Sequence, residues 1–309
     1  MRVIFFGTAE FAVPSLQALI EARHTVALCV TRPDRPQGRG LSPQPSPVKQ
    51  AALRLGVPLA QPERLQRGAV NAMDADIGVV AAYGALIPAE LIARPRHGML
   101  GVHPSLLPRY RGAAPVAWAL LNGEATTGVT IFRLTEALDA GAIVVQRDAA
   151  IQSGDTTETL TARLAQLGVR ELVRALALID EGRAVFTPQD ASRVSLAPKL
   201  TKAQGRIEWQ ASAEAIERLI RATAPWPGAS TTYRGHPLKI AAARVLAGPS
   251  DAPAGVPGMV VRIAAESITI ETGRGLLELT ELQPSDRRRM TVREFLAGHP
   301  VKPGEKFGE

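Results

Sequence analysis

From position 2 the chain reads RVIFFG, an unbroken apolar run too short for a helix and closed by a glycine, which predicts a first β-strand. TVALCVT, DIGVVAAY and GMLGVH repeat the pattern. Between them, PSLQALIEA sets Leu16, Leu19 and Ile20 at helical spacing. SPVKQAALRLG predicts a second helix, with Ser46 as its N-cap, Pro47 in its first turn and Gly56 at its end. Strands that are continuously apolar, rather than alternating, are buried on both faces, and that is the mark of a parallel sheet covered by helices. The first half is therefore expected to be α/β: a Rossmann-like, doubly wound, mostly parallel sheet. Folds of this kind bind ligands outside the carboxyl ends of their strands. Two such ends carry chemistry here, Tyr83-Gly84 after one strand and His103 after the next.

Further along, VAWALLNG predicts a short helix stopped by Asn122-Gly123, and TGVTIFRLTEALDAGAIVVQRDAAI predicts two strands joined at ALDAG. A long helix follows over about 157–181, then a polar stretch with Pro188 and Pro198. After SAEAIERLIRAT, a helix capped by Ser212, the pattern changes to short strands punctuated by glycine turns: STTYRG, LKIAAARVL, GMVVRIAA, SITIET and GLLELTELQP. These predict a small C-terminal β-barrel of the oligonucleotide-binding (OB-like) type. The expected organisation is a catalytic domain over 1–185, a linker over 186–207 and a barrel domain over 208–309. A chain of 309 residues is long enough for two separate cores.

Composition narrows the class. With 46% hydrophobic and 21% charged residues the chain is an ordinary globular protein. Its opening apolar run is too short for a secretion signal, and DIGVVAAYGALIPAELIA is broken by Gly84, Pro88 and Glu90, so no membrane span is expected. The one cysteine, Cys29, reads as a small buried hydrophobe and suits a reducing cytoplasm. No self-complementary apolar stripe argues for more than a monomer. The net charge of +7 points to an anionic partner, and its placement sharpens the point. Four arginines and no acid fall between Arg94 and Arg111, and the loop TRPDRPQGRG carries Arg32, Arg35 and Arg39 against Asp34 alone.

Several chemistries are excluded by pattern. None of the five histidines is spaced with another histidine or with cysteine as a metal site requires. The turn after the first strand is GTAEF, not G-x-G-x-x-G, so no NAD site is expected. Acid–base chemistry remains. A histidine exchanges a proton near neutral pH, and a carboxylate can orient its ring and stabilise its charged form. Asp139 in LDAGA is the candidate partner of His103, and His103 itself reads either as a strand-end residue with a structural hydrogen bond or as a proton-handling centre. Trp209 and Trp226 read as packing residues, and Arg287 to Arg289 as phosphate contacts or a solvated turn.

VHPSLLPRYRGAAP followed by TGVTIFRLTEALDAG closely resembles the folate-dependent formyltransferases. The likeness starts at MRVIFFGTAEFAVPSLQAL, takes in TRPDRPQGRG, PSPVK, VVAAYGALIP, KLTKAQGRIEW and IRATAPWPGA, and ends at GLLELTELQP. The family moves a formyl group from 10-formyltetrahydrofolate to an amine, and the fullest motif agreement is with members whose amine is that of methionine esterified to initiator tRNA. The resemblance implies that His103 transfers the proton and Asp139 orients it. It implies that Tyr83, Gly84, Ser105, Leu106, Leu107, Pro108 and Gly141 line the folate pocket, without a metal. It also implies that Arg35, Arg39, Lys199 and Lys202 meet tRNA phosphates.

One residue departs from the family pattern. Two positions before the histidine the family carries an asparagine whose amide donates to the formyl oxygen, and this chain has Gly101. Losing one oxyanion donor typically costs on the order of 10²–10³ in rate. The glycine is expected to leave room for a water or a backbone N–H in the amide's place. The alternatives it raises are a sugar-nucleotide N-formyltransferase and a 10-formyltetrahydrofolate hydrolase.

Overall fold

The structure, a computed structural model, describes residues 1–37, 42–65, 74–246 and 255–309. The chain packs as two compact units. The first comprises 1–115, 126–150 and 160–198, and the second 116–125, 151–159 and 199–309. Residues 186–198 of the expected linker therefore pack in the first unit, and 199–207 in the second.

The first unit is built on a seven-stranded sheet. In chain order its strands are β1 (Arg2–Gly7), β2 (Thr25–Val30), β5 (Leu59–Ala60), β6 (Ile77–Ala81), β7 (Met99–His103), β8 (Thr126–Arg133) and β9 (Ile143–Ala150). A separate hairpin pairs β3 (Arg35–Gln37) with β4 (Ser42–Gln44). Across the sheet the order is β5-β2-β1-β6-β7-β8-β9, with the first five and β9 running the same way and β8 alone antiparallel to its neighbours. Strand order reverses between β1 and β6, and such a reversal opens a crevice at the carboxyl ends. Thr8 Oγ1 donates to the Tyr83 carbonyl at 2.8 Å across that point.

Helix α1 (Val13–Glu21) turns its Leu16 and Leu19 into the core. Helix α2 (Pro47–Arg54) starts as its sequence predicts, Ser46 Oγ accepting from the Lys49 amide at 3.1 Å. Two shorter helices are α3 (Ala89–Ile92) and α4 (Pro115–Leu121), and the long α5 spans Thr157–Asp180. Ile4, Phe6, Leu28, Val30, Tyr83, Leu91 and Met99 form one buried cluster of the first unit. Burying a side chain of that size contributes about 1.5–3 kcal/mol. Cys29 is fully buried, and desolvation pushes its thiol up to about 12, so it is the inert packing residue its sequence context predicts.

The second unit carries α6 (Ala213–Thr223), β10 (Ala229–Tyr233), β11 (His236–Leu246), β12 (Val260–Ala264), β13 (Ser267–Glu271), β14 (Leu276–Pro284), β15 (Met290–Thr291) and α7 (Val292–Gly298). The antiparallel order is β10-β11-β14-β13-β12, with β15 on β14. The two outer strands are joined by the last residues of the chain: Phe307 bridges Tyr233 at the end of β10, and Lys306 bridges Met259 just before β12. These bridges tie one point at each outer strand to the same segment and so draw the sheet into a small barrel. Trp209, Ile216, Leu238, Ile268, Leu277, Leu279, Phe295 and Phe307 fill its interior. Helix α7 carries a reciprocal cap, in which Thr291 Oγ1 accepts from the Glu294 amide at 3.2 Å and the Glu294 carboxylate accepts from the Thr291 amide at 2.9 Å.

Candidate active site

His103 is the last residue of β7 and only 6% exposed. Its Nε2 lies 2.8 Å from the Tyr110 carbonyl. A carbonyl oxygen has no proton to give, so Nε2 carries the hydrogen and donates. The neutral ring then has its lone pair on Nδ1, and Nδ1 faces Asp139 Oδ2 at 3.7 Å. At that distance the carboxylate acts on the ring through charge rather than through a direct hydrogen bond. The structure thus brings the predicted pair together.

Asp139 reaches His103 by an indirect path. Strand β8 runs antiparallel to β7, with Thr130 opposite His103 and Arg133 opposite Leu100, so the chain leaves β8 at the far end from the histidine. The connection over 134–142 doubles back to bring Asp139 home. Asp139 adopts a left-handed φ of 48°, and its Oδ2 accepts from the Gly112 amide at 2.8 Å. Gly141 is required here for space, because a Cβ at that position would lie 1.7 Å from the Arg133 carbonyl oxygen. Gln189 locks the turn: its Nε2 donates to the carbonyls of Asp139 and Gly141, both at 2.8 Å, while its Oε1 accepts from Arg111. Sequence reasoning missed Gln189, because a lone glutamine in a polar stretch carries no pattern.

The turn after His103 is fastened as tightly. Ser105 is fully buried, and its Oγ donates to the Arg109 carbonyl at 2.6 Å. That bond gives the hydroxyl a turn-holding role. Thr130 Oγ1 donates to the Ser105 carbonyl at 2.7 Å and accepts from the Leu107 amide at 3.1 Å. Gln146 Nε2 donates to the Leu107 carbonyl at 2.9 Å. Leu107 and Pro108 are buried and Leu106 half-buried. Thr130 and Gln146 belong to the site's support, and their only sequence signal was membership of the strands beside the histidine.

The other predicted pocket residues divide. Gly84 is exposed at the end of the β6 segment with a φ of 80°, whereas the Tyr83 ring packs edge-on against Phe6 in the core, centroids 5.6 Å apart. The Tyr83 ring is therefore part of the core, and its carbonyl accepts from Thr8 Oγ1. Gly101 corrects an expectation. It does not leave room, because a Cβ there would fall 2.4 Å from Cε1 and 2.5 Å from Cζ of Phe132, whose ring occupies the space. A cavity of about 260 Å³ in the second unit, bounded by Leu120, Glu124, Gln152, Arg218 and Arg221 among others, is lined by none of the predicted site residues.

Among the predicted cations, Arg35 is exposed and pairs with Glu63 at 3.2 Å. Lys199 and Lys202 are exposed and have no acidic partner among the described residues. Arg39 lies outside the described residues. Trp209 is buried and donates from Nε1 to Thr231 at 3.0 Å, but Trp226 is 51% exposed, against the expectation that it packs. Arg288 and Arg289 pair with Glu294 and Glu281. Among the described residues no group of three or more histidine, cysteine, aspartate or glutamate side chains is arranged to hold a metal ion, and no helix is long and apolar enough to cross a membrane.

A parallel sheet with a histidine–carboxylate pair at its strand ends, joined to a small antiparallel barrel, has matching relatives. Residues 1–176 match the formyl transferase family and residues 199–300 its C-terminal domain, and the chain belongs to that family. It is 44% identical to the methionyl-tRNA formyltransferase of Methylobacillus flagellatus and 42% identical to that of Heliobacterium modesticaldum, with the whole of both chains covered in each case. Among solved structures, the N-formyltransferase of Helicobacter canadensis in complex with folinic acid and dTDP-3-aminofucose has the same fold, with a TM-score of 0.68 at 15% identity over 90% of this chain and 99% of that one. HypX of Aquifex aeolicus in complex with tetrahydrofolic acid gives a TM-score of 0.64 at 22% identity over all of this chain, which spans 50% of the HypX chain.

Proposed function

We propose that this protein transfers the formyl group of 10-formyltetrahydrofolate to the α-amino group of methionine carried by initiator tRNA, in the cytoplasm, as a step in translation initiation. The observation that carries the reading is the end-to-end similarity to methionyl-tRNA formyltransferases in both units, at 40–44% identity in the relatives that match over the full chain. The sugar N-formyltransferases, at 15–19% identity, share the fold alone.

The geometry supports a division of labour. An amine that adds to a formyl carbon must lose a proton, which His103 Nδ1 is the nitrogen free to take, and that proton is then available to N10 of the folate as its bond to the formyl carbon breaks. The imidazolium so formed lies between the Tyr110 carbonyl at 2.8 Å and the Asp139 carboxylate at 3.7 Å. Asp139 serves by its charge and its fixed position, and Gln189 and the Gly112 amide fix it. The crevice between Gly84 and the 105–108 turn is assigned to the folate. Arg35, Arg39, Lys199 and Lys202 are assigned to tRNA phosphates, contacts that give affinity and a salt dependence. Residue 101 supplies no side-chain donor to the formyl oxygen.

The test is formylation of methionyl initiator tRNA by the purified protein with 10-formyltetrahydrofolate as donor. Product from the wild type, lost in His103→Ala, supports the reading. Formate released from the donor with no formylated tRNA overturns it in favour of a hydrolase, and formylation of a nucleotide-linked amino sugar alone overturns it in favour of the sugar enzymes.

A further inference from the structure

His103 and Gly101 share one face of β7, because alternate residues of a strand point the same way. Their partners across the antiparallel pair are Thr130 and Phe132. Thr130 is fully engaged with the 105–107 turn. Phe132 makes no polar contact and is 2% exposed, and its ring meets the His103 imidazole edge to face, with centroids 6.4 Å apart and planes at 89°. The same ring fills the space in front of Gly101, where a Cβ would come within 2.4 Å. Residue pairs directly opposite on one sheet face are the units of sheet packing, so the missing side chain at 101 and the large one at 132 form one arrangement.

We propose that Phe132 is a positioning residue for His103. The imidazole is held at Nε2 by the Tyr110 carbonyl and faces Asp139 through Nδ1, but neither contact prevents the ring from tilting within β7's face. Phe132 closes that remaining direction and keeps water from the carbon side of the ring. Gly101 is what allows it to do so: any side chain at 101 must push the phenyl ring away from the histidine. The inference rests on the formyl-transfer reading for its kinetic consequence, and on geometry alone for the contact.

The experiment measures formyl transfer by Gly101→Ala, Phe132→Leu and the double variant, each shown to be folded by circular dichroism. A misplacement of about 1 Å costs on the order of 10²-fold, so Phe132→Leu is expected to lower kcat by roughly 10–10²-fold with the KM for both substrates nearly unchanged. Gly101→Ala is expected to lower kcat similarly. The double variant is expected to be faster than the product of the two single effects predicts, by about tenfold or more, because leucine makes room for the new methyl group. A purely structural Phe132 would lower stability and leave the kcat of folded enzyme within twofold, and that result overturns the proposal. So does a double variant whose loss is the simple product of the singles.

A second readout separates this inference from the functional one. The His103 ring proton resonance in the wild type is expected to carry the ring-current shift of an adjacent phenyl group, and Phe132→Leu to remove it. If the wild type formylates no tRNA but that resonance moves, the functional reading fails and the positioning contact stands. A resonance that does not move overturns the contact whatever the activity.

Discussion

His103 and the basic surface of the second unit show two opposite ways of arranging charged groups. Around His103 the polar groups are buried or partly buried and each has a fixed partner: the Tyr110 carbonyl, Asp139, the Gly112 amide, Gln189 and the Ser105 hydroxyl. On the second unit Lys199, Lys202, Arg206, Arg262 and Arg274 are all exposed; Arg206 pairs with Glu208 at 3.3 Å, and Arg262 and Arg274 stand 3.9 Å from Glu278 and Glu214. Pairs between two exposed side chains, as at Arg206 and Arg274, contribute about 0–1 kcal/mol, so these cations can exchange an acid for a phosphate at small cost. The first arrangement suits a reaction in which one proton must be taken at one atom. The second suits a partner held by many weak, replaceable contacts. Single substitutions should therefore be decisive in the first region and graded in the second.

The largest effect belongs to His103→Ala. Removing a positioned general base costs about 10²–10⁴-fold, so kcat for formyl transfer should fall by that factor while tRNA affinity, measured by filter binding, changes little. An equal loss in affinity would mean that His103 holds substrate rather than moving a proton, and the contrast between the regions would collapse.

Gly141→Ala comes next. A methyl group 1.7 Å from the Arg133 carbonyl oxygen cannot be accommodated by a rotamer change, since the obstacle is backbone. Overpacking of this sort costs about 1–3 kcal/mol, and the turn that carries Asp139 must shift to relieve it. Both thermal stability and kcat should drop. Gly182→Ala, whose Cβ would meet nothing within 4 Å despite its φ of 66°, should be milder and serves as the control for backbone strain alone.

These two sites also show how much the sequence could reveal. Strands β1, β2, β6 and β7 were legible because doubly buried strands are written as unbroken apolar runs, and α2 because its cap is local. The pairing of His103 with Asp139 was legible only as a candidate. The reversal of β8 and the doubling back of 134–142 depend on contacts between distant residues that no local pattern records. Phe132 was invisible for a different reason: an apolar residue in an apolar strand looks the same whether it fills a core or steadies an imidazole. The β3–β4 hairpin is made of residues with poor strand preference, among them Pro36 and Pro43, so pattern argued against it. The barrel's closing segment was missed because GEKF shows no strand alternation. Its strand character comes from the edges it bridges.

That closing segment supplies the third prediction. The Glu305 carboxyl accepts from the Tyr233 hydroxyl at 2.6 Å and from Arg234 at 2.5 Å, and these bonds hold it down at about 2. A carboxyl depressed in the folded state stabilises above its unfolded value and loses that contribution as pH falls toward the folded one. Barrel stability should thus decline from about pH 4.5 to about pH 2. Tyr233 is raised to about 12, by burial first and then by Glu305, so the same contact should weaken again as pH rises from about 10 through about 12. Glu305→Gln should flatten the acid limb in urea unfolding followed between pH 5 and 2. An unchanged limb would place the acid sensitivity elsewhere.

The smallest effect per residue is expected at the lysines. Each cation that meets a phosphate releases counterions, so removing it should reduce the slope of log Kd against log salt by about one. Lys199→Ala and Lys202→Ala should each do so, and the double variant should lower the slope by about two, with the loss appearing in KM for tRNA. Additivity is the feature that matters. Independent surface contacts add, whereas the interlocked residues around His103 should not. If the two lysine effects prove strongly non-additive, they form one organised site, and the second unit handles its partner with the same interlocking that the first applies to its proton.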